Sequence, residues 1–236
     1  MLSLVIWWVG LILDAVILFR SFRGRSFAKY PYFYTYFTSI VLVDLTRYFI
    51  YTHDPPAYRN WYWSTEFLSV AIGYGVILEI LRHALARYPA VARFGSRILW
   101  ASFLAVLTYI ACKSLTVTNW SAPATGAELE RDLRTVQAFA LAGILILISH
   151  YRIDIGRNLK GIITGYGAFI ALSVMNLAVQ AHAGASIQGV LRGFQSYSFF
   201  FSQFVWIAAL WSYQPSPRAP AAGRPESDYE TLSRRT

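Results

Sequence analysis

Residues 32 to 51 read YFYTYFTSIVLVDLTRYFIY, and Asp44 and Arg47 are the only charged residues among these twenty. An α-helix needs about 20 predominantly apolar residues to cross the hydrocarbon core of a bilayer. A membrane-spanning β-strand alternates with period two over about 10 residues, whereas this run is continuous and longer. The stretch therefore predicts a membrane-spanning helix.

Six further apolar segments of similar length flank this one. The 236 residues are 56% hydrophobic and only 14% charged, whereas soluble globular domains carry about 25% charged residues. The single cysteine, Cys112, excludes an intramolecular disulfide and a cysteine-based metal centre. We predict an all-α fold: a polytopic seven-helix transmembrane bundle over residues 1–213 and a disordered cytoplasmic tail over 214–236. The predicted spans are 2–19, 32–51, 61–81, 98–115, 133–153, 161–180 and 194–213.

The basic residues predict how the chain is oriented. Of the 21 Lys and Arg residues, 15 lie in the first, third and fifth loops and the tail, and four lie in the loops on the opposite side. Because cytoplasmic loops carry the excess of Lys and Arg, we expect the N-terminus outside and the C-terminus in the cytoplasm. This asymmetry accounts for the net charge of +9 without a nucleic-acid partner.

Polar residues gather in the predicted outer half of the helices. Ionisable residues at membrane depth cost about 2.5–3.5 kcal/mol each and normally face the protein interior. Asp44 and Arg47 are three residues apart, so they share a helix face and are predicted to pair. The cluster predicts either a small-molecule pocket or a salt-bridge network that only fixes helix order. The candidate ligand-binding residues are Asp44, Arg47, Glu66, Lys113, Gln137, Asn176 and Gln195.

Two acids lie in the predicted inner half. Asp14 has no partner nearby in sequence, so we expect a structural acid, either protonated or bonded to hydroxyls such as those of Thr38 or Ser39; a proton-relay role is the alternative. Glu79 is three residues before Arg82, and this spacing predicts an interfacial ion pair.

Two histidines lie at matching depth near the cytoplasmic helix ends. His83 and His150 could ligate a b-type haem. They could equally be interfacial polar residues that need no cofactor, which is the interpretation we favour. No metal site is predicted elsewhere.

Residues 156–161, GRNLKG, run into residues 162–167, IITGYG. This segment resembles the region from the fifth loop to the sixth helix of uncharacterised bacterial seven-helix membrane proteins, some relatives of which precede signalling kinases. The resemblance implies a bacterial inner-membrane location and a sensory role, here without an effector domain. Gly161 and Gly165 also form a small-xxx-small pair, which predicts close helix packing inside the bundle.

The sequence lacks the motifs that are typical of several functional classes. The seventh segment has no lysine for retinal, and the chain shows no P-loop, HExxH or GxSxG motif. No catalytic constellation is visible, so we do not expect an enzyme. We expect a ligand-sensing or ligand-binding bundle in the bilayer that binds a small molecule and acts through a separate cytoplasmic or membrane protein. The alternatives are a small-solute transporter and a b-haem electron-transfer subunit.

Overall fold

The computed structural model describes residues 2–23, 27–86, 88–116, 122–182 and 185–211. Within these ranges the regular structure is entirely α-helical, with seven helices and no strand. Each predicted segment overlaps one of these helices, so the all-helical class is confirmed. The helices are α1 (Leu2–Arg23), α2 (Pro31–His53), α3 (Pro55–Ala84), α4 (Pro89–Thr116), α5 (Ala122–His150), α6 (Arg157–His182) and α7 (Ala185–Leu210).

Several helices are longer than predicted at one end of the molecule. We call this the α2–α3 end, because Asp54 joins α2 to α3 there. The predicted segments began at residues 61, 133 and 194, but α3 begins at Pro55, α5 at Ala122 and α7 at Ala185. Proline is well tolerated at the first helical position because its missing N–H would have no acceptor there. Four basic residues expected in the loops of this end therefore belong to helices; they are Arg59, Arg131, Arg134 and Arg192.

Helix α3 lies at the centre and packs against α2, α4, α5 and α6. Helix α1 packs against α2 and α7, while α6 and α7 make the most extensive helix pair. Among the described residues, α4 packs only against α3 and α5, so it is peripheral. The Trp206 ring of α7 is 5.6 Å from the Phe33 ring and 5.1 Å from the Phe37 ring, both of α2. Through these buried rings, side chains of α7 contact side chains of α2 in the core.

The outer surface of the helices is strongly apolar. Phe19, Phe49 and Phe139 are 66%, 61% and 74% exposed, and an apolar surface this extended suits lipid rather than water. In the part of the chain that the structure describes, four helices contain stretches long and apolar enough to cross a bilayer, as expected of a helical membrane protein. These stretches are Pro55–Ala84, Pro89–Tyr109, Leu129–His150 and Arg157–Asn176, and α7 contributes a shorter apolar stretch, Tyr197–Leu210.

Two glycines allow α6 to approach α7 closely. A Cβ atom on Gly161 would overlap the side chain of Ala209, and one on Gly165 would lie 2.5–2.9 Å from three atoms of the Trp206 indole. Trp206 is fully buried, and its Nε1 lies 3.4 Å from the Ile162 carbonyl oxygen to which it donates. The prediction that the glycine pair serves tight packing is confirmed.

The predicted pairing of Glu79 with Arg82 is wrong. The Glu79 side chain instead accepts hydrogen bonds from the backbone N–H groups of Tyr32, at 3.1 Å, and Phe33, at 2.9 Å. These residues follow Pro31 at the start of α2, where the first backbone N–H groups lack intrahelical acceptors. Glu79 is 4% exposed, so its carboxylate serves a buried helix end while Arg82 stays on the surface.

Candidate functional site

A buried ionic network joins three helices toward the α2–α3 end. Glu66 of α3 lies 3.1 Å from Arg47 Nη2 on α2 through one oxygen and 2.6 Å from Arg134 Nη2 on α5 through the other. Arg134 Nε lies 2.7 Å from Glu130, one turn earlier on α5. We call these four residues the Glu66 network. Its two positive and two negative charges cancel, so no net charge is buried by the set.

Neighbouring groups hold both arginines in place. Arg47 Nε donates to Thr65 Oγ1 at 2.8 Å, and Arg47 Nη2 also donates to the Tyr62 carbonyl at 3.1 Å. The Arg47 guanidinium lies 4.4 Å from the centre of the Tyr62 ring, and that of Arg134 lies 5.1 Å from the centre of the Phe169 ring. A cation over an aromatic face is attracted by the ring quadrupole. The site therefore combines charged groups with two aromatic rings.

The network is unevenly buried. The Arg47 and Glu66 side chains are 15% and 12% exposed, whereas those of Glu130 and Arg134 are 9% and 6% exposed. Among the described residues, Nη1 of either arginine has no hydrogen-bond acceptor. A guanidinium carries five N–H donors in a rigid fork, so each arginine keeps donors for another group. The network thus approaches the surface at Arg47 and retains capacity to bind an acceptor.

The structure brings some of the predicted site residues together. Arg47 and Glu66 are in direct contact, and Gln137 of α5 donates at 2.9 Å to the carbonyl of Val70, one turn beyond Glu66 on α3. Gln137 is 1% exposed and Asn176 of α6 is 3% exposed. Lys113 and Gln195 belong to α4 and α7, but their side chains lie outside the described part of the chain.

The predicted ion pair between Asp44 and Arg47 is not formed. Arg47 uses its fork across the helix interface, on Glu66, Thr65 and the Tyr62 carbonyl. Within the described residues, Asp44 has no ion pair and no hydrogen bond through its side chain, although Arg47 lies within electrostatic reach. A guanidinium that reaches the neighbouring helix meets a carboxylate and two further oxygen acceptors there. Asp44 is therefore beside the Glu66 network rather than part of it.

Sequence reasoning missed Glu130 and Arg134. The fifth span is predicted from hydropathy to start at residue 133, so Glu130 falls before it, and Arg134, its second residue, is counted with the basic residues of the preceding loop. The missed signal is their spacing of four residues, which puts a carboxylate and a guanidinium on one helix face. An i, i+4 pair at the start of an apolar run indicates that the helix continues through the charged residues.

A second polar contact joins α1 to α7. Gln203 Nε2 donates to Asp14 Oδ1 at 2.6 Å and to the Gly10 carbonyl at 3.2 Å. The expected partners of Asp14 are occupied elsewhere: Thr38 donates to the Tyr34 carbonyl and Ser39 to the Tyr36 carbonyl, each on its own helix. The hydroxyl partners predicted for Asp14 are therefore wrong, and its partner is an amide on a distant helix.

The two candidate haem ligands lie at helix ends. His83 Nδ1 is 2.9 Å from the Glu79 carbonyl oxygen, and its ring centre is 5.1 Å from that of Tyr30. His150 lies in the last turn of α5, exposed, with its ring 5.1 Å from that of Tyr151. These contacts place both rings at helix ends, and haem ligation stays the untested alternative to two interfacial polar residues.

The chain matches no protein-family model, no curated protein and no solved structure. Among the described residues, no group of three or more His, Cys, Asp or Glu side chains could hold a metal ion. The Glu66 network itself offers charge, hydrogen-bond donors and two aromatic faces.

Proposed function

We propose that this protein is a ligand-binding or ligand-sensing bundle of the cell membrane that acts through a separate protein partner. The observation that supports it is the Glu66 network, in which one carboxylate is shared by arginines from two helices. Charged residues inside membrane helices are costly, and they commonly mark substrate or ligand sites.

The proposal includes seven membrane spans, with the N-terminus outside and the tail inside. The four apolar stretches of α3 to α6 meet the length and hydropathy needed to cross a bilayer, and we infer that α1, α2 and α7 cross as well. Seven crossings agree with the uneven distribution of basic residues along the chain. In this orientation the Glu66 network faces the outer leaflet. A bacterial inner membrane, as the resemblance of residues 156–167 implies, belongs to the same proposal.

The spare donors of the network favour a small molecule with an anionic group, such as a carboxylate or phosphate. Arginine N–H groups bind both through charge-assisted hydrogen bonds. In Arg47 the nitrogen for this is Nη1, because Nε and Nη2 already donate to neighbouring groups. Arg47 is the more exposed of the two arginines, so it would meet the ligand first. Gln137, which is bonded to the Val70 carbonyl one turn beyond Glu66, and Asn176 of α6 are the buried polar residues that we propose complete the site. The short basic loops at the opposite end would bind the partner.

A thermal-shift screen of the purified full chain in detergent tests this function, with a library of small carboxylates and phosphates. We expect at least one compound to raise the unfolding temperature of wild type and to have no such effect on Arg47→Met or Arg47→Lys. Methionine has no donor, and a single lysine ammonium cannot replace the contacts to Glu66, Thr65 and the Tyr62 carbonyl and also donate to a ligand. Arg82→Met, at an exposed arginine of the same α3 helix that carries Glu66, is the matched control and should respond like wild type. If no compound raises the unfolding temperature of wild type more than that of Arg47→Met, the proposal is contradicted.

The two alternatives predict different outcomes in reconstituted protein. Uptake of the stabilising compound into proteoliposomes would indicate a transporter instead of a sensor. A haem absorption spectrum that is lost in both His83→Ala and His150→Ala would indicate an electron-transfer subunit.

A further inference from the structure

Asp14 of α1 is buried without a positively charged partner. Its side chain is 1% exposed, and its recorded hydrogen bond comes from Gln203 Nε2 at 2.6 Å. Among the described residues it forms no ion pair, whereas Glu66 and Glu130 are both paired with arginine. An isolated ionised carboxylate in a low-dielectric interior is costly, and such groups tend to neutralise instead.

The groups around Asp14 do not supply the missing charge. Helix α2 faces it with Asp44, a second acid, and with the hydroxyl of Tyr36. From residue 198 to its end at Leu210, α7 carries no ionisable side chain. On α1 itself the nearest cation is Arg20, and its Nε and Nη2 both donate to the Trp211 carbonyl at the end of α7. Nothing in the described surroundings therefore balances a negative charge on Asp14.

Gln203 lacks a hydrogen-bond donor at the same place. Its side chain is fully buried, and its Oε1 atom has no hydrogen-bond partner, although Nε2 is bonded to both Asp14 and Gly10. A Cβ atom on Gly10 would lie 3.7 Å from Gln203 Oε1, so this amide end lies directly against the α1 backbone. A buried acceptor without a donor is destabilising, because on burial it loses its hydrogen bond to water and gains none in return.

A single proton on Asp14 would remove the unbalanced negative charge and also supply the donor that Gln203 Oε1 lacks. A protonated carboxyl is uncharged, and it gains an O–H donor while keeping acceptor capacity. We propose that Asp14 and Gln203 form a proton-binding site between α1 and α7. In this site one Asp14 oxygen accepts from Gln203 Nε2 and the other, protonated by water, donates to Gln203 Oε1. The site is separate from the Glu66 network and does not depend on the function proposed for it.

Infrared spectroscopy of the full-length protein in liposomes tests the proposal directly. At neutral pH we expect wild type to show the carbonyl band of a buried, hydrogen-bonded carboxylic acid, shifted in heavy water. Asp14→Asn should lose the band, whereas Asp44→Asn and the exposed control Asp154→Asn should keep it. Gln203→Met should keep the band at a shifted position, because the acid remains but its amide partner is gone.

Thermal stability across a pH series gives an independent readout. A site that is neutral in the folded protein stabilises it at low pH, and this contribution is lost as rising pH removes the proton. An asparagine side chain imitates the protonated acid, so Asp14→Asn should weaken the alkaline loss of stability. Absence of the acid band from wild type at neutral pH overturns the proposal whether or not the variants fold. Stabilisation of wild type but not Asp14→Asn by sodium chloride, relative to choline chloride, also overturns it and indicates a sodium site.

Discussion

Arg47 of α2 makes its ion pair with Glu66 of α3, at 3.1 Å, and not with Asp44 one turn earlier on its own helix. This choice links α2 to α3, and because Glu66 also binds Arg134, it links both helices to α5. The pairing makes the position of three helices depend on one carboxylate. It also determines which combinations of substitutions leave no unpaired charge in the protein interior.

Arg47 and Glu66 should be interdependent in stability. Glu66→Gln leaves Arg47 and Arg134 with only Glu130, and Arg47→Met leaves two acids with only Arg134. Each single change strands one buried charge, which typically costs about 3–5 kcal/mol. The double variant retains the balanced Arg134–Glu130 pair, so it should recover most of that loss. Unfolding temperatures in detergent for the four proteins measure the coupling.

The matched comparison is the same cycle with Asp44. Arg47→Met combined with Asp44→Asn should show weaker coupling, because these residues interact at longer range and share no ion pair. Stronger coupling of Arg47 to Asp44 than to Glu66 would show that the pairing within α2 is the correct one.

Glu79 should stabilise the protein through the start of α2. Glu79→Ala removes the acceptor of two backbone N–H groups, those of Tyr32 and Phe33. Loss of a helix cap costs about 0.5–2 kcal/mol, so the unfolding temperature should fall. Glu79→Gln keeps an acceptor oxygen and should fall less. Arg82→Ala should have little effect on the unfolding temperature. If it lowers that temperature as much as Glu79→Ala does, Glu79 acts through an ion pair with Arg82 instead.

The helices themselves were predictable because each one contains a long run of mostly apolar residues. What hydropathy could not show is that α5 begins eleven residues upstream of the predicted start of its apolar run and includes Glu130. Charged residues at the end of a span resemble loop residues in composition. Arg134 is buried because α3 packs against α5 and places Glu66 beside it. Hydropathy along the chain does not contain this contact between two helices.

Partners within one helix follow from spacing, but partners between helices do not. The i, i+3 rule correctly places Asp44 and Arg47 on one face of α2. It does not predict which side chains of the neighbouring helix lie against that face. Asp14 shows the same limit, since its partner Gln203 lies 189 residues away in sequence. The small-xxx-small pair on α6 was predictable because glycine itself implies close approach, whichever helix packs there.

Gly165 should not tolerate a methyl group. In Gly165→Ala the new Cβ would lie 2.5–2.9 Å from the fully buried Trp206 ring, so α6 and α7 must separate or the indole must shift. Overpacking of this kind typically costs about 1–3 kcal/mol. Gly143→Ala is the control, because nothing lies within 4 Å of its added Cβ. There the better helix propensity of alanine should leave the unfolding temperature unchanged or slightly higher. Equal effects at the two positions would contradict the close α6–α7 contact.

Reporter fusions can decide whether α2 and α7 cross the membrane, since these helices come directly before and after the four most apolar stretches. Alkaline phosphatase is active only outside the cytoplasm, and green fluorescent protein fluoresces only inside. Seven spans predict opposite locations for fusions after Lys29 and after Asp54, and again for fusions after His182 and after Thr236. With the N-terminus outside, Lys29 and Thr236 should report the cytoplasm, and Asp54 and His182 the exterior. If only α3 to α6 cross, the two fusions of each pair will report the same side, since the helix between them stays on one face of the membrane.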